Sequence, residues 1–156
     1  MPTTTPIRDV MTTKVITLSA DQAFEDAADV LAKHSIGAAP VVDDDGHVLG
    51  LLRDEDLIVS ESNIHAPTWF NLFGVGVELP GAQKHFEHEL RRMVAATVQD
   101  LMSTQFETAR PDDTLGSVAA KMHDRDVTHM PVVDDDGHLV GIVARGDLVR
   151  RVAAET

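Results

Sequence analysis

The chain contains one block twice: Pro40-Val41-Val42-Asp43-Asp44-Asp45-Gly46-His47 returns unchanged as Pro131-Val132-Val133-Asp134-Asp135-Asp136-Gly137-His138. The offset is 91 residues and holds without a gap across each copy. Asp9-Val10-Met11-Thr12 answers Asp100-Leu101-Met102-Ser103, Thr17 answers Thr108, Asp21 answers Asp112, Gly50 answers Gly141, and Asp56-Leu57 answers Asp147-Leu148. Self-similarity of this kind means one supersecondary unit used twice. Each unit is only about fifty residues, too small to bury a comfortable core alone, so the two are expected to pack on each other.

Both copies spell the same elements. Residues 15–18 form a short β-rich run, and Ala20, Ala23, Phe24, Ala27, Ala28 and Leu31 then keep the i, i+3, i+4, i+7 spacing of an amphipathic helix. Ser19 with Gln22 three residues on reads as a capping box at its start. The second copy keeps the period with Leu115, Val118, Ala119 and Met122, after Pro111 and Asp112 at the helix start. Two apolar runs follow, 36–42 and 48–52, joined by an acidic turn that closes on Asp45-Gly46, a favoured hairpin pair. A second helix from about Asp54 ends the unit. The predicted fold is therefore α/β (α+β), two β-α-β-β-α units related by a pseudo-twofold axis. Residues 1–60 and 98–156 are the units, and 61–97 an insertion between them.

Composition narrows the partners. Thirteen basic against 26 acidic residues leave a formal charge of -13, a field that repels nucleic-acid backbones and anionic membranes. A nucleotide must then find a local basic pocket. With no cysteine, disulfides, thiolate metal sites and cysteine nucleophiles are excluded. The short polar start, residues 1–5, and the lack of any apolar run long enough to span a bilayer predict a soluble cytoplasmic protein with no membrane contact.

Asp-Val-Met-Thr, then Pro-Val-Val-Asp, then Gly-Leu-Leu-Arg-Asp-Glu-Asp-Leu resembles a cystathionine-β-synthase (CBS) domain, and the second copy matches as well. The likeness covers roughly residues 7–60 and 98–152. It implies a tandem pair whose cleft binds AMP, ADP, ATP or S-adenosylmethionine, required by no chemistry of its own, and a module that signals to a protein effector and forms a homodimer through its helical faces. Leu57, Ile58, Leu148 and Val149 would supply apolar surface for that dimer. The alternative is a ligand-free assembly module with degenerate clefts.

The family pattern is a glycine, two apolar residues, a threonine or serine, two variable residues and an aspartate. Here it runs from Gly50 to Asp56 and from Gly141 to Asp147. A carboxylate in the first turn of a helix can accept ribose hydroxyls, or simply cap the helix. Glycine at a strand permits close backbone approach. The hydroxyl position departs from the pattern: it is Arg53 in one copy and Ala144 in the other. Arg53 could reach a phosphate or pair with Asp54 or Asp56, whereas Ala144 leaves room beside Arg145. Two residues before the motif proline, where some members carry a basic residue, stand Ala38 and His129; His129 is either a phosphate partner or an ordinary half-buried histidine. The candidate ligand set is thus Asp147, His129, Arg145, Gly141 and Thr108 from the second copy, the favoured half, with Asp56, Arg53, Gly50 and Thr17 from the first.

Other patterns carry less. The triple aspartates are contiguous, unlike the alternate ligands of a calcium loop, and read as solvated turns. In the insertion, Trp69, Phe70, Leu72 and Phe73 form an apolar knot expected to cover the core. Phe86, Leu90, Met93 and Val94 make a helix face, supported by Glu87 and Arg91. His85 and His88 lack the spacing of a zinc protease, and Gly74-Val75-Gly76 lacks the third glycine of a dinucleotide turn. No nucleophile elbow or P-loop is present, so no enzyme is indicated.

Overall fold

The structure, a computed structural model, describes residues 2–57 and 96–155. The aromatic knot, the helix face at 86–94, His85, His88 and Ile58 lie outside the described residues.

Two antiparallel hairpins form the centre of the molecule. β1 (Ala38–Val42) pairs with β2 (Val48–Arg53), and β3 (His129–Val133) with β4 (Leu139–Ala144), in the same register and with a bulge at the same place, Val41/Val42 and Val132/Val133. The turns explain the first aspartate of each triple run. Asp43 Oδ1 accepts the N–H groups of Asp45 and His47 at 3.0 and 2.9 Å, while Gly46 takes a left-handed φ of 86°. Asp134 and Gly137 repeat the arrangement. Such donors favour the charged carboxylate. The backbone N–H of His47 accordingly holds the Asp43 carboxyl below its ordinary range, and that of His138 does so for Asp134. The two turn tips meet: Leu139 N–H donates to Gly46 O at 3.0 Å, and the His47 and His138 rings stack with centroids 4.5 Å apart.

Helices α1 (Phe24–Lys33) and α3 (Leu115–Arg125) bury the apolar stripe expected of them, Ala27 and Leu31 in one case, Leu115, Val118 and Met122 in the other. Their starts differ from the sequence reading. Ser19 N–H does donate to Gln22 Oε1 at 3.3 Å, but this closes a turn, and α1 begins only at Phe24. The reason is that Ala23 is extended and bridged to Thr97, so the chain cannot coil before it. Thr114 likewise bridges to Pro6 and caps α3, its Oγ1 accepting Ser117 N–H at 3.2 Å. The strands expected at 15–18 and its repeat shrink to single bridges, Leu18 with Val41 and Ala109 with Val132. Residues 54–57 are helical, and α4 (Arg145–Ala154) is the corresponding helix of the second copy.

The two copies exchange their leading segments. Ile7 is fully buried in the core of the second copy, beside Val118, Met122, Met130, Val132 and Val143. Its repeat counterpart Val98, in the short helix α2 (Val98–Leu101), is fully buried among Leu18, Leu31, Val41 and Leu52 of the first. Backbone bonds fix both crossings. Ile7 N–H donates to Asp113 O and Thr12 N–H to Ile142 O, at 2.8 and 2.9 Å; Val98 N–H donates to Gln22 O and Ser103 N–H to Leu51 O, both at 2.9 Å. Glycine lets each segment cross the hairpin closely. A Cβ at Gly141 would stand 2.5 Å from Met11 Sδ and 3.0 Å from Thr12 O, and one at Gly50 would stand 2.6 Å from Met102 Sδ. The close approach that glycine permits is made here by the exchanged chain.

Candidate functional site

The repeat creates two related clefts between the copies, and they differ sharply. One has a volume of about 300 Å³ and is walled by Lys14, Val15, Ile16 and residues 35–38 of the first copy and by His129, Ile142, Ala144, Asp147 and Arg150 of the second, with Thr12 beside them. Its counterpart measures about 20 Å³. At the position of Ala144 the closed cleft has Arg53, at that of Val15 it has Phe106, and at that of Ile16 it has Glu107.

The motif aspartates sit at identical places. Asp147, third in α4, accepts Ala144 N–H at 2.8 Å on Oδ2, and Asp56 accepts Arg53 N–H at 2.9 Å on Oδ2. Each therefore caps its helix with one oxygen. The other oxygen distinguishes them: Asp147 Oδ1 takes Arg150 Nη2 from the next turn of α4, and Asp56 Oδ1 takes the Nη2 of Arg53 at 3.3 Å. Arg53 thus lies across its own cleft, whereas Arg150 leaves the floor at Ala144 open.

His129 lines both clefts. Thr128 Oγ1 meets its Nδ1 at 2.9 Å, and the ring faces Gly37, where a Cβ would be 3.5 Å from Cε1. Burial lowers its pKa from the ordinary imidazole value, against the pull of the Asp54 and Asp147 carboxylates and with a smaller push from Arg53. Burial thus favours the neutral ring at the cleft.

Residues 7–62 and 98–154 both match the family described as CBS domain. The chain belongs to the CBS domain family. It is a tandem CBS pair of the α+β fold. It is 30% identical to protein MJ1426 of Methanocaldococcus jannaschii over 149 residues, 92% of this chain and 88% of that one. Among solved structures it is similar to the CBS domain of a CBS-domain-containing membrane protein from Sphaerobacter thermophilus, with 32% identity, a TM-score of 0.70, and 96% and 88% of the two chains covered. It also shares its fold with CBSX2 of Arabidopsis thaliana, solved in complex with AMP, at 23% identity and a TM-score of 0.74 over 97% and 98% of the two chains.

Within this CBS pair, the structure brings Asp147 and His129 to the open cleft, and His129 and Arg53 to the closed one. The other candidates lie elsewhere. Gly50 and Gly141 face Met102 and Met11. Thr17 is exposed and lines neither cleft, and Thr108 offers its carbonyl to Lys121 Nζ at 2.7 Å. Arg145 turns away: its Nη2 donates to Val127 O at 3.2 Å and its side chain lines an apolar groove of about 560 Å³ between α3 and α4. The cations at the open cleft are Lys14 and Arg150, which sequence reasoning did not select. Arg150 carried a signal, lying three residues after Asp147 on the same helical face. Lys14 carried none, because it reaches the cleft from the other copy. Among the described residues, Asp43, Asp45 and His47 and their counterparts also gather ligand atoms within 4.8 Å, but the first aspartate of each group already spends an oxygen on its turn. No helix of the described residues is long and apolar enough to cross a membrane.

Proposed function

We propose that this CBS pair is a cytoplasmic regulatory module, catalysing nothing itself, that senses an adenosine-type ligand (AMP, ADP, ATP or S-adenosylmethionine) in the open cleft and signals to a protein effector. The observation that carries this reading is the cleft's polarity. Its lining mixes two kinds of group: Val15, Ile16, Ile36 and Ile142 offer apolar contact suited to a base, and Asp147, Arg150, Lys14 and His129 offer partners for ribose and phosphate. The AMP complex of CBSX2 supports the choice of ligand class. Helix α4 links ligand to partner: Asp147 and Arg150 face the cleft, and Leu148, Val149 and Val152 line the groove on its other face. A ligand that binds better to one packing of α4 than another shifts what the groove presents.

Calorimetric titration of AMP, ADP, ATP and S-adenosylmethionine, with thermal shift alongside, tests the reading. A saturable heat with at least one is expected; no heat and no shift with any of them retires it. The groove favours a second reading, an assembly module in which two copies pair over α3 and α4 whether or not a ligand is bound, because its lining is almost wholly apolar and Val149 is 63% exposed.

A further inference from the structure

The repeat also gives the chain two helical faces of like shape and unlike charge. At the offset of 91 residues, Phe24, Ala28 and Leu57 answer Leu115, Ala119 and Leu148 of the groove between α3 and α4, and the three first-copy residues are only half-buried. Charge is inverted between the faces. Arg145, the exposed first residue of α4, answers Asp54, the exposed residue that opens the helical stretch 54–57. No carboxylate lines the groove, whose polar residues are Arg145 and His123; the position of His123 is Ala32 on α1. Arg145 Nη2 donates to Val127 O and Asp54 Oδ1 accepts Glu55 N–H at 2.8 Å, but among the described residues neither side chain is in an ion pair. The charges around them lean the same way: Glu25, Asp26 and Asp29 against Lys33 on α1, but Lys121 and Arg125 against Asp124 on α3, and Arg145, Arg150 and Arg151 against Asp147 on α4.

We propose that two copies of the chain pair head to tail, the groove between α3 and α4 of each receiving the α1 face of the other. A twofold axis then sets Arg145 of each copy against the partner's Asp54, two ion pairs at the rim of an apolar contact that covers Val149 and Val152. The parallel arrangement has the opposite outcome. It sets Arg145 against Arg145 and Asp54 against Asp54, so that each charge loses water and meets its own sign. Because the repeat makes the two faces alike in shape, both arrangements bury apolar surface; the inverted charge selects between them. The orientation rests on the assembly reading above and needs no ligand.

The test is charge exchange, read by sedimentation equilibrium. Arg145→Asp should raise the dissociation constant of the dimer about tenfold, since one substitution turns two attractions into two repulsions, and Asp54→Arg should do the same. The double exchange should return it to within about threefold of the wild type. In a parallel pair each single exchange only replaces one like pair by another, so single variants without effect, or a double variant no tighter than the singles, overturn the orientation. Thiols supply a second route should a charge variant not fold, because the chain has no cysteine of its own. With a short bismaleimide, the Ala32→Cys, His123→Cys double variant should give covalent dimers and either single variant few. A single variant that links as well as the double overturns the proposal equally. A wild type that sediments as a monomer at micromolar concentration overturns it together with the assembly reading, whereas a dimer indifferent to these exchanges overturns the orientation alone.

Discussion

Asp147 and Asp56 occupy the same position in the same motif and cap their helices alike, yet only Asp147 faces open space. Asp147→Ala should therefore weaken an adenosine ligand about ten- to a hundredfold, the equivalent of a charge-assisted hydrogen bond of roughly 1.5–3 kcal/mol, and Asp56→Ala should leave affinity within about twofold. Isothermal titration of the two variants checks this, and equal losses would place the ligand in the wrong cleft. His129 adds a pH dependence with a definite sign. Because burial keeps its ring neutral below the ordinary imidazole value, affinity for a phosphate-bearing ligand should rise only as pH falls below about 6.5, and adenosine should show no such rise. The apo protein should respond oppositely. Its unfolded chain binds the proton more readily, so stability falls over the same window, and His129→Gln flattens both profiles in titrations and urea melts. Sequence could single out Asp147, His129 and the small Ala144, since these are readings of residue type at a motif position. It could not choose between the two fates open to Arg53, reaching a phosphate or pairing with an aspartate, because residue type does not fix the rotamer of a long cation; the side chain folds onto Asp56.

At the level of elements, local pattern was a good guide wherever an element is stabilised by its own residues. Both hairpins and the buried faces of α1 and α3 came from period and turn chemistry that act within a few residues. Pattern failed where a distant segment intervenes. Helix α1 starts late because Ala23 is held extended against Thr97 and no local capping signal reports that, whereas α3 starts behind a cap at Thr114 that was passed over for Pro111 and Asp112. The exchange makes a prediction that a self-contained pair of units would not. Ile7→Ala should cost about 2–5 kcal/mol, and the loss of amide protection should fall on β3 and β4, in the second copy, rather than on β1 and β2 in its own. Hydrogen-exchange mass spectrometry resolves the two. Loss confined to the first copy's hairpin would contradict the exchanged core.

For the whole molecule, the groove between α3 and α4 is an apolar surface that the described residues leave uncovered, with Val149 63% and Val152 40% exposed. Two copies pairing over it would bury both valines, so light scattering should give a dimer mass at micromolar concentration, and Val149→Asp should return a monomer without lowering the melting temperature. A monomeric wild type would remove the dimer and leave the cleft untouched. The repeat made the paired architecture legible, and the family pattern made the cleft legible; the inequality of the clefts was written only in the side chains at 53, 106 and 107. The exchanged segments also bear on ancestry. Ile7 and Val98 are equivalent pegs in equivalent sockets, so a protein made of one copy alone would hold an empty socket and a spare peg, and two such chains would satisfy each other by swapping them. Fusion of two such genes end to end would keep every one of those contacts while freeing the halves to diverge, which is how Arg53 and Ala144 could come to differ at one shared position.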